Sequence, residues 1–174
     1  MKQKAIIFDL DACIVDSSSR FNKIDLDAFE RKDHNTFARS LEKYQENTKG
    51  DEVIDDGIDL LVALTNFYKP DRVFFLTARG SGAEKITLNW LKQENIWDSN
   101  YQLICRPEDL DSEDYKITDQ SDHAKFKKET ARKLMETYDI LVCVDDSLLN
   151  CMCFVELGLT TLQFHKANLG RMLV

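Results

Sequence analysis

The sequence predicts an α/β fold in which a doubly wound parallel sheet is covered by helices on both faces. Three observations predict it. Short apolar runs without polar alternation, Ala5-Ile6-Ile7-Phe8, Val73-Phe74-Phe75-Leu76 and Leu141-Val142-Cys143-Val144, read as strands buried on both faces. Such runs alternate with longer segments of helical period. Each of the three ends in polar residues, Asp9-Leu10-Asp11, Thr77-Ala78-Arg79 and Asp145-Asp146-Ser147. The carboxyl ends of parallel strands are where such sheets hold their ligands.

The elements follow in order. The first strand covers residues 4–9. Segment 54–67, IDDGIDLLVALTNF, carries the apolar stripe of a helix, and Lys69-Pro70 turns the chain into a second strand, RVFFLT, at 72–77. A helix over 82–94 packs Ile86, Leu88, Trp90 and Leu91, and a third strand spans 102–105. The polar segment 106–121 reads as an ordered loop. A helix over 123–138 leads to the fourth strand at 140–144. A helix over 148–157 stops at Gly158, and the fifth strand covers 160–164. Segment 17–51 breaks the alternation and is too long for a loop. Helical character at 28–31 and 36–44 predicts a small helical insertion standing over the end of the first strand.

A chain of 174 residues fits a single domain, 1–174, carrying that insertion. A net charge of -8 argues against broad electrostatic capture of nucleic acid, although a local basic patch is compatible with it. The five cysteines, Cys13, Cys105, Cys143, Cys151 and Cys153, are odd in number and partly set in apolar runs, as reduced core thiols are. A thiolate metal site at Cys151-Met152-Cys153 is disfavoured, because a C-x-C on a helix does not aim both sulfurs together. His34, His123 and His165 lack metal-site spacing. No apolar segment approaches membrane-spanning length and none reads as a signal peptide, so the expected setting is cytoplasmic, with no membrane and no evident protein partner.

In an extended chain residues two apart point the same way, so Asp9 and Asp11 present paired carboxylates that require a positive neighbour. Four carboxylates converging at the strand ends, Asp9, Asp11, Asp145 and Asp146, need a cation. Oxygen-only ligation with room for waters and a phosphate favours Mg²⁺ over zinc. A lysine from the run beginning at His123 and the Thr77 hydroxyl are suited to phosphate oxygens. Together they compose a phosphoryl-transfer site.

FDLDACIVDS, LTAR and VDDS, in this order at strand ends, resemble the first, second and fourth motifs of the haloacid dehalogenase (HAD) superfamily of phosphatases. The resemblance covers nearly the whole chain and implies a Rossmann-like sheet with strand order 3-2-1-4-5. Thr87 with Trp90-Leu91, then Arg106, then FKKE before the VDD strand look most like the 3′-phosphatase half of phage polynucleotide kinases and related small phage-type phosphatases. The resemblance implies that Asp9 is the nucleophile, forming an aspartyl phosphate, and that Asp11 is the acid and base, with a raised pKa. It implies Mg²⁺ on Asp9, the backbone carbonyl of Asp11, and Asp145 with or without Asp146. Thr77 would bond the phosphoryl group and Lys127 would neutralise it. Lys125 and Lys128 lie near the right place too, and Lys127 is preferred because it follows Phe126 as in the family. Arg79 would contact substrate or brace the loop, and Arg106, Lys125 and Lys128 would help bind substrate. Where the family usually has Gly-Thr, this chain has Ala12-Cys13.

Bland readings stand beside these: Thr77 as a strand terminator, Arg79 as a packing residue, Asp146 as an outer acceptor, and the basic run 125–133 as a solvated face. A response-regulator receiver also combines aspartates, a threonine and a lysine, but in a different chain order, and that order excludes it. An inactive HAD-like phosphate-binding or interaction protein is the alternative to an enzyme. No G-x-x-x-x-G-K-[ST] occurs, so no kinase half is expected in the chain. The substrate expected is a nucleotide or other small phosphate monoester, or a phosphorylated nucleic-acid end.

Overall fold

The computed structural model describes residues 2–45, 48, 50–107 and 120–165. Its elements run β1 (Gln3–Phe8), β2 (Val15–Asp16), α1 (Leu26–Glu30), α2 (His34–Gln45), β3 (Glu52–Val53), α3 (Asp55–Tyr68), β4 (Arg72–Gly80), α4 (Glu84–Gln93), β5 (Tyr101–Arg106), α5 (Gln120–Thr137), β6 (Tyr138–Asp145), α6 (Leu148–Val155) and β7 (Thr161–Gln163). The main sheet has the order β5-β4-β1-β6-β7, every pairing parallel. Counting its strands alone, that is the expected order 3-2-1-4-5.

β1 is the middle strand, and its apolar run explains why. Ala5, Ile6, Ile7 and Phe8 are all at most 1% exposed. Ile6 and Phe8 pack with Leu61 of α3 and Trp90 and Leu91 of α4. Ala5 and Ile7 face the opposite core with Phe126 and Ala131 of α5 and Phe154 of α6. Strand side chains alternate between faces, so only a continuous apolar run can feed two cores. Fully burying each Ile or Phe is worth about 1.5–3 kcal/mol.

Register then places the site. Phe8 is level with Phe75 on one side and Val144 on the other. Asp9, the Thr77 stretch and Asp145 therefore leave the sheet along one edge. In β4 the register shifts between Leu76 and Gly80, which releases Thr77, Ala78 and Arg79 from regular pairing.

The segment between β1 and α3 holds a 3₁₀ turn (Ser18–Lys23) as well as α1 and α2. It also enters and leaves through a two-stranded antiparallel ribbon, with Val15 opposite Val53 and Asp16 opposite Glu52. Two-residue strands carry no readable periodicity, so the sequence predicted only the helices. The polar segment after β5 lies largely outside the described residues, which resume at Gln120.

Candidate active site

β1 ends at Phe8, and the Asp9 amide still donates to the Val144 carbonyl at 2.9 Å, holding the carboxylate at the sheet edge. The chain then turns tightly: Cys13, Ile14 and Val15 amides all donate to the Leu10 carbonyl, at 3.2, 2.8 and 2.9 Å. Ala12 sits at φ 61 in that turn, a left-handed conformation that costs an L-residue about 1–2 kcal/mol. A glycine would adopt it freely. Gly57 of α3 backs the turn so closely that a Cβ there would lie 1.8 Å from the Cys13 carbonyl oxygen.

Lys127 reaches into the site from α5. It is 2% exposed, and its Nζ lies 2.7 Å from Asp145 Oδ2 and 2.9 Å from Asp9 Oδ1. The Asp145 contact is a directed hydrogen bond, whereas Asp9 Oδ1 is buried with no hydrogen-bond donor among the described residues and meets Lys127 as an ion pair. Asp145 Oδ1 accepts from Asn150 Nδ2 at 2.8 Å and from the Ser147 amide at 3.0 Å. Ser147 caps α6, accepting from the Asn150 amide. A carboxylate oxygen of Asp9, one of Asp146 and the Cys13 Sγ lie within 4.8 Å of one another.

Burial raises the Asp9 carboxyl well above its usual range; Lys127 opposes this, while Asp145, Asp146 and Asp11 add to it. Asp146 is pushed up to about 6 by burial and then by Asp145. Lys127 is held protonated: burial disfavours its charge, but Asp145 and Asp9 outweigh burial. Three carboxylates against one ammonium leave negative charge uncompensated, and a buried, hydrogen-bond-deficient oxygen points into the same place. This donor set fits a hard divalent cation. Burial, reinforced by Asp9, raises the Cys13 thiol well above its normal range.

Asp11 belongs to a second group. Arg79 forks onto it, with Nη2 2.6 Å from Oδ1 and Nε 2.9 Å from Oδ2. Thr77, fully buried, donates to Asp11 Oδ2 at 3.3 Å and accepts the Arg79 amide at 3.2 Å. Arg79 Nη1 reaches Thr87 Oγ1 at 3.1 Å. Two expectations are corrected here. The four carboxylates do not meet at one point, because the Asp11 side chain is drawn aside to Arg79. Its pKa is lowered rather than raised, since burial pushes it up but the charge and hydrogen bonds of Arg79 more than offset that.

Of the remaining predicted residues, Arg106 is buried and donates from Nε to the Ala78 carbonyl at 3.4 Å, bracing the end of β4. Lys125 is exposed on α5, and Lys128 pairs with Glu156 beyond the end of α6. The structure brings neither into the cluster around Asp9.

Sequence reasoning missed a buried set supplied by the insertion. The Asp51 side chain is fully buried, and its Oδ2 lies 2.9 Å from Arg20 Nη2 and 3.3 Å from Arg79 Nη2. Arg20, 1% exposed, also bonds Asp51 Oδ1 and the Tyr44 carbonyl, and its guanidinium lies 4.5 Å above the Tyr44 ring. The Tyr44 hydroxyl is 2.6 Å from Ser17 Oγ. Nothing in the sequence marks Arg20 and Asp51 out from the many other charged residues of segment 17–51.

No protein-family model matches the sequence, and no curated protein matches it. Solved structures do. A chain of the Pnkp1/Rnl/Hen1 RNA repair complex aligns over 96% of this chain with a TM-score of 0.66 and 18% identity, and a second structure of that complex aligns with a TM-score of 0.64 and 19% identity. This chain covers only 44% and 47% of those chains, less than half their length. A haloacid dehalogenase-like family hydrolase from Streptococcus pneumoniae aligns over 98% of this chain and 91% of its own, with a TM-score of 0.56 and 15% identity. The likeness at these identities is one of fold, which this chain shares with that haloacid dehalogenase-like family hydrolase.

Proposed function

We propose that this chain is a Mg²⁺-dependent HAD-type phosphatase that hydrolyses a phosphate monoester through an aspartyl phosphate on Asp9. The observation that carries the reading is the buried Lys127 held between Asp9 and Asp145, with Asp146 beside them, at the carboxyl edge of the sheet. A structural ion pair needs one carboxylate; a site built to receive a phosphoryl group needs surplus ligands and a fixed cation.

Asp9, Asp145 and Asp146, with the Asp11 carbonyl, would hold the cation, which when bound offsets charge on the phosphate. Lys127 shares its charge between the nucleophile and the incoming phosphoryl oxygens. Asp9 attacks phosphorus, the ester oxygen leaves with a proton from Asp11, and Asp9 becomes the acyl phosphate. Water then attacks phosphorus, Asp11 takes its proton, and phosphate departs. Asp11 on Arg79 is ionised, which suits the second step; for the first, it must come away from Arg79 and take up a proton from solvent. Thr77 sits within reach of the same carboxylate and orients it.

The substrate is, in this reading, a nucleotide or a polynucleotide 3′-phosphate. The likeness to a chain of an RNA repair complex supports a nucleic-acid end, and exposed Lys125, Arg132 and Lys133 on α5 supply basic charge for a polyanion. Phosphate release from 3′- and 5′-phosphorylated oligonucleotides, nucleoside monophosphates and sugar phosphates tests this. A preference of at least about tenfold for the 3′-phosphorylated end or a nucleotide is expected. Faster turnover of sugar phosphates would overturn the substrate assignment while leaving the phosphatase intact.

A further inference from the structure

Four charges, three of them buried, alternate in sign from the insertion to the core: Arg20, Asp51, Arg79 and Asp11. One guanidinium nitrogen, Arg79 Nη2, lies 2.6 Å from Asp11 and 3.3 Å from Asp51. Arg79 is thus shared by two carboxylates of different standing. Asp11 is partly open, with a side chain 34% exposed, and must leave Arg79 to protonate a departing oxygen. Asp51 is wholly enclosed and held by Arg20 on its other side.

We propose that Asp51 is a positioning residue that retains Arg79 while Asp11 turns to the substrate. Resting on the phosphatase reading above, this gives the insertion a part in the chemistry. A buried guanidinium that loses its only carboxylate is left with an uncompensated charge, so releasing Asp11 would be opposed. With Asp51 in place, Arg79 keeps an ionic partner throughout, and its Nη1 stays anchored on Thr87. Asp51 is itself fixed, because the ribbon of β2 and β3 begins at the next residue and ties the insertion's exit to the turn after Asp11. The Ile54 amide donates to the Ile14 carbonyl at 2.8 Å and locks the same junction.

The signature lies in the leaving group. An aryl phosphate with an acidic phenol departs without a proton, whereas an alkyl phosphate needs the acid. We expect Asp51→Asn to lower kcat on an alkyl phosphate by about tenfold or more while lowering it on p-nitrophenyl phosphate by no more than about threefold. The ratio of the two rates is taken within one preparation, so loss of folded enzyme cancels. Asp51→Glu, which restores the charge, should return the ratio part-way to the parent's and serves if the asparagine variant does not fold. Equal losses on both esters, or an unchanged ratio, would overturn the proposal with the phosphatase reading intact. A parent chain inert toward both esters would remove that reading and this proposal together.

Discussion

The Nζ of Lys127 lies 2.7 Å from Asp145 Oδ2, both side chains buried, across the gap between α5 and the end of β6. This pair separates Lys127 from its neighbours. Lys127→Ala should lower turnover by about 10²–10³-fold, the range for removing a group aimed at developing charge. Lys125→Ala and Lys128→Ala, altering an exposed lysine and one paired with Glu156, should stay within about threefold. Steady-state phosphate release by the three variants checks this. A dead Lys125 or Lys128 variant beside an active Lys127 variant would contradict the placement.

The metal-free site should make stability fall as pH rises. Asp146 is raised to about 6, and Asp9 and Asp51 are shifted upward as well, each first by burial. Between about pH 4 and 6 the folded chain then holds more protons than the unfolded one, so these groups subtract stability as they ionise. Asp11, shifted downward, contributes with the opposite sign only below that window. Melting temperatures in chelator at pH 4.5 and 6.5 should show a larger drop in the parent than in Asp146→Asn, and millimolar Mg²⁺ should stabilise the parent most at pH 6.5. The same drop in both proteins, with no response to Mg²⁺, would count against the charge surplus.

Gly57 should not tolerate a side chain. The added Cβ of Gly57→Ala would meet the Cys13 carbonyl at 1.8 Å, and that contact is backbone, which cannot swing aside. A loss of about 1–3 kcal/mol is expected in denaturant unfolding, together with lower turnover because the displaced turn carries Asp9 and Asp11. Stability equal to the parent's would show that α3 does not press on the turn.

Much of the site was legible because it lies on strand ends. An apolar run closed by D-L-D, T-A-R or D-D-S announces both the strand and the edge where its polar residues gather, and the register does place Asp9, Thr77 and Asp145 along one edge. Lys127 was singled out from Lys125 and Lys128 only by the resemblance to the family's pattern after Phe126, and it is the one of the three that lies beside Asp9 and Asp145. What stayed hidden depends on long-range folding. Arg20 and Asp51 are 31 positions apart and meet only because β2 and β3 pair. The direction of the Asp11 shift was hidden for the same reason: it hinges on where Arg79 points. The need for a glycine at Gly57 was hidden too, because the turn it presses on is 44 positions away in the chain at Cys13.

The most direct measurement is phosphate release from p-nitrophenyl phosphate by the purified chain in Mg²⁺, set beside Asp9→Asn and beside the parent in chelator. The account predicts turnover by the parent, loss of at least about 10³-fold in Asp9→Asn with its fold preserved, and loss of activity on chelation. Activity in Asp9→Asn within about tenfold of the parent would contradict attack by Asp9.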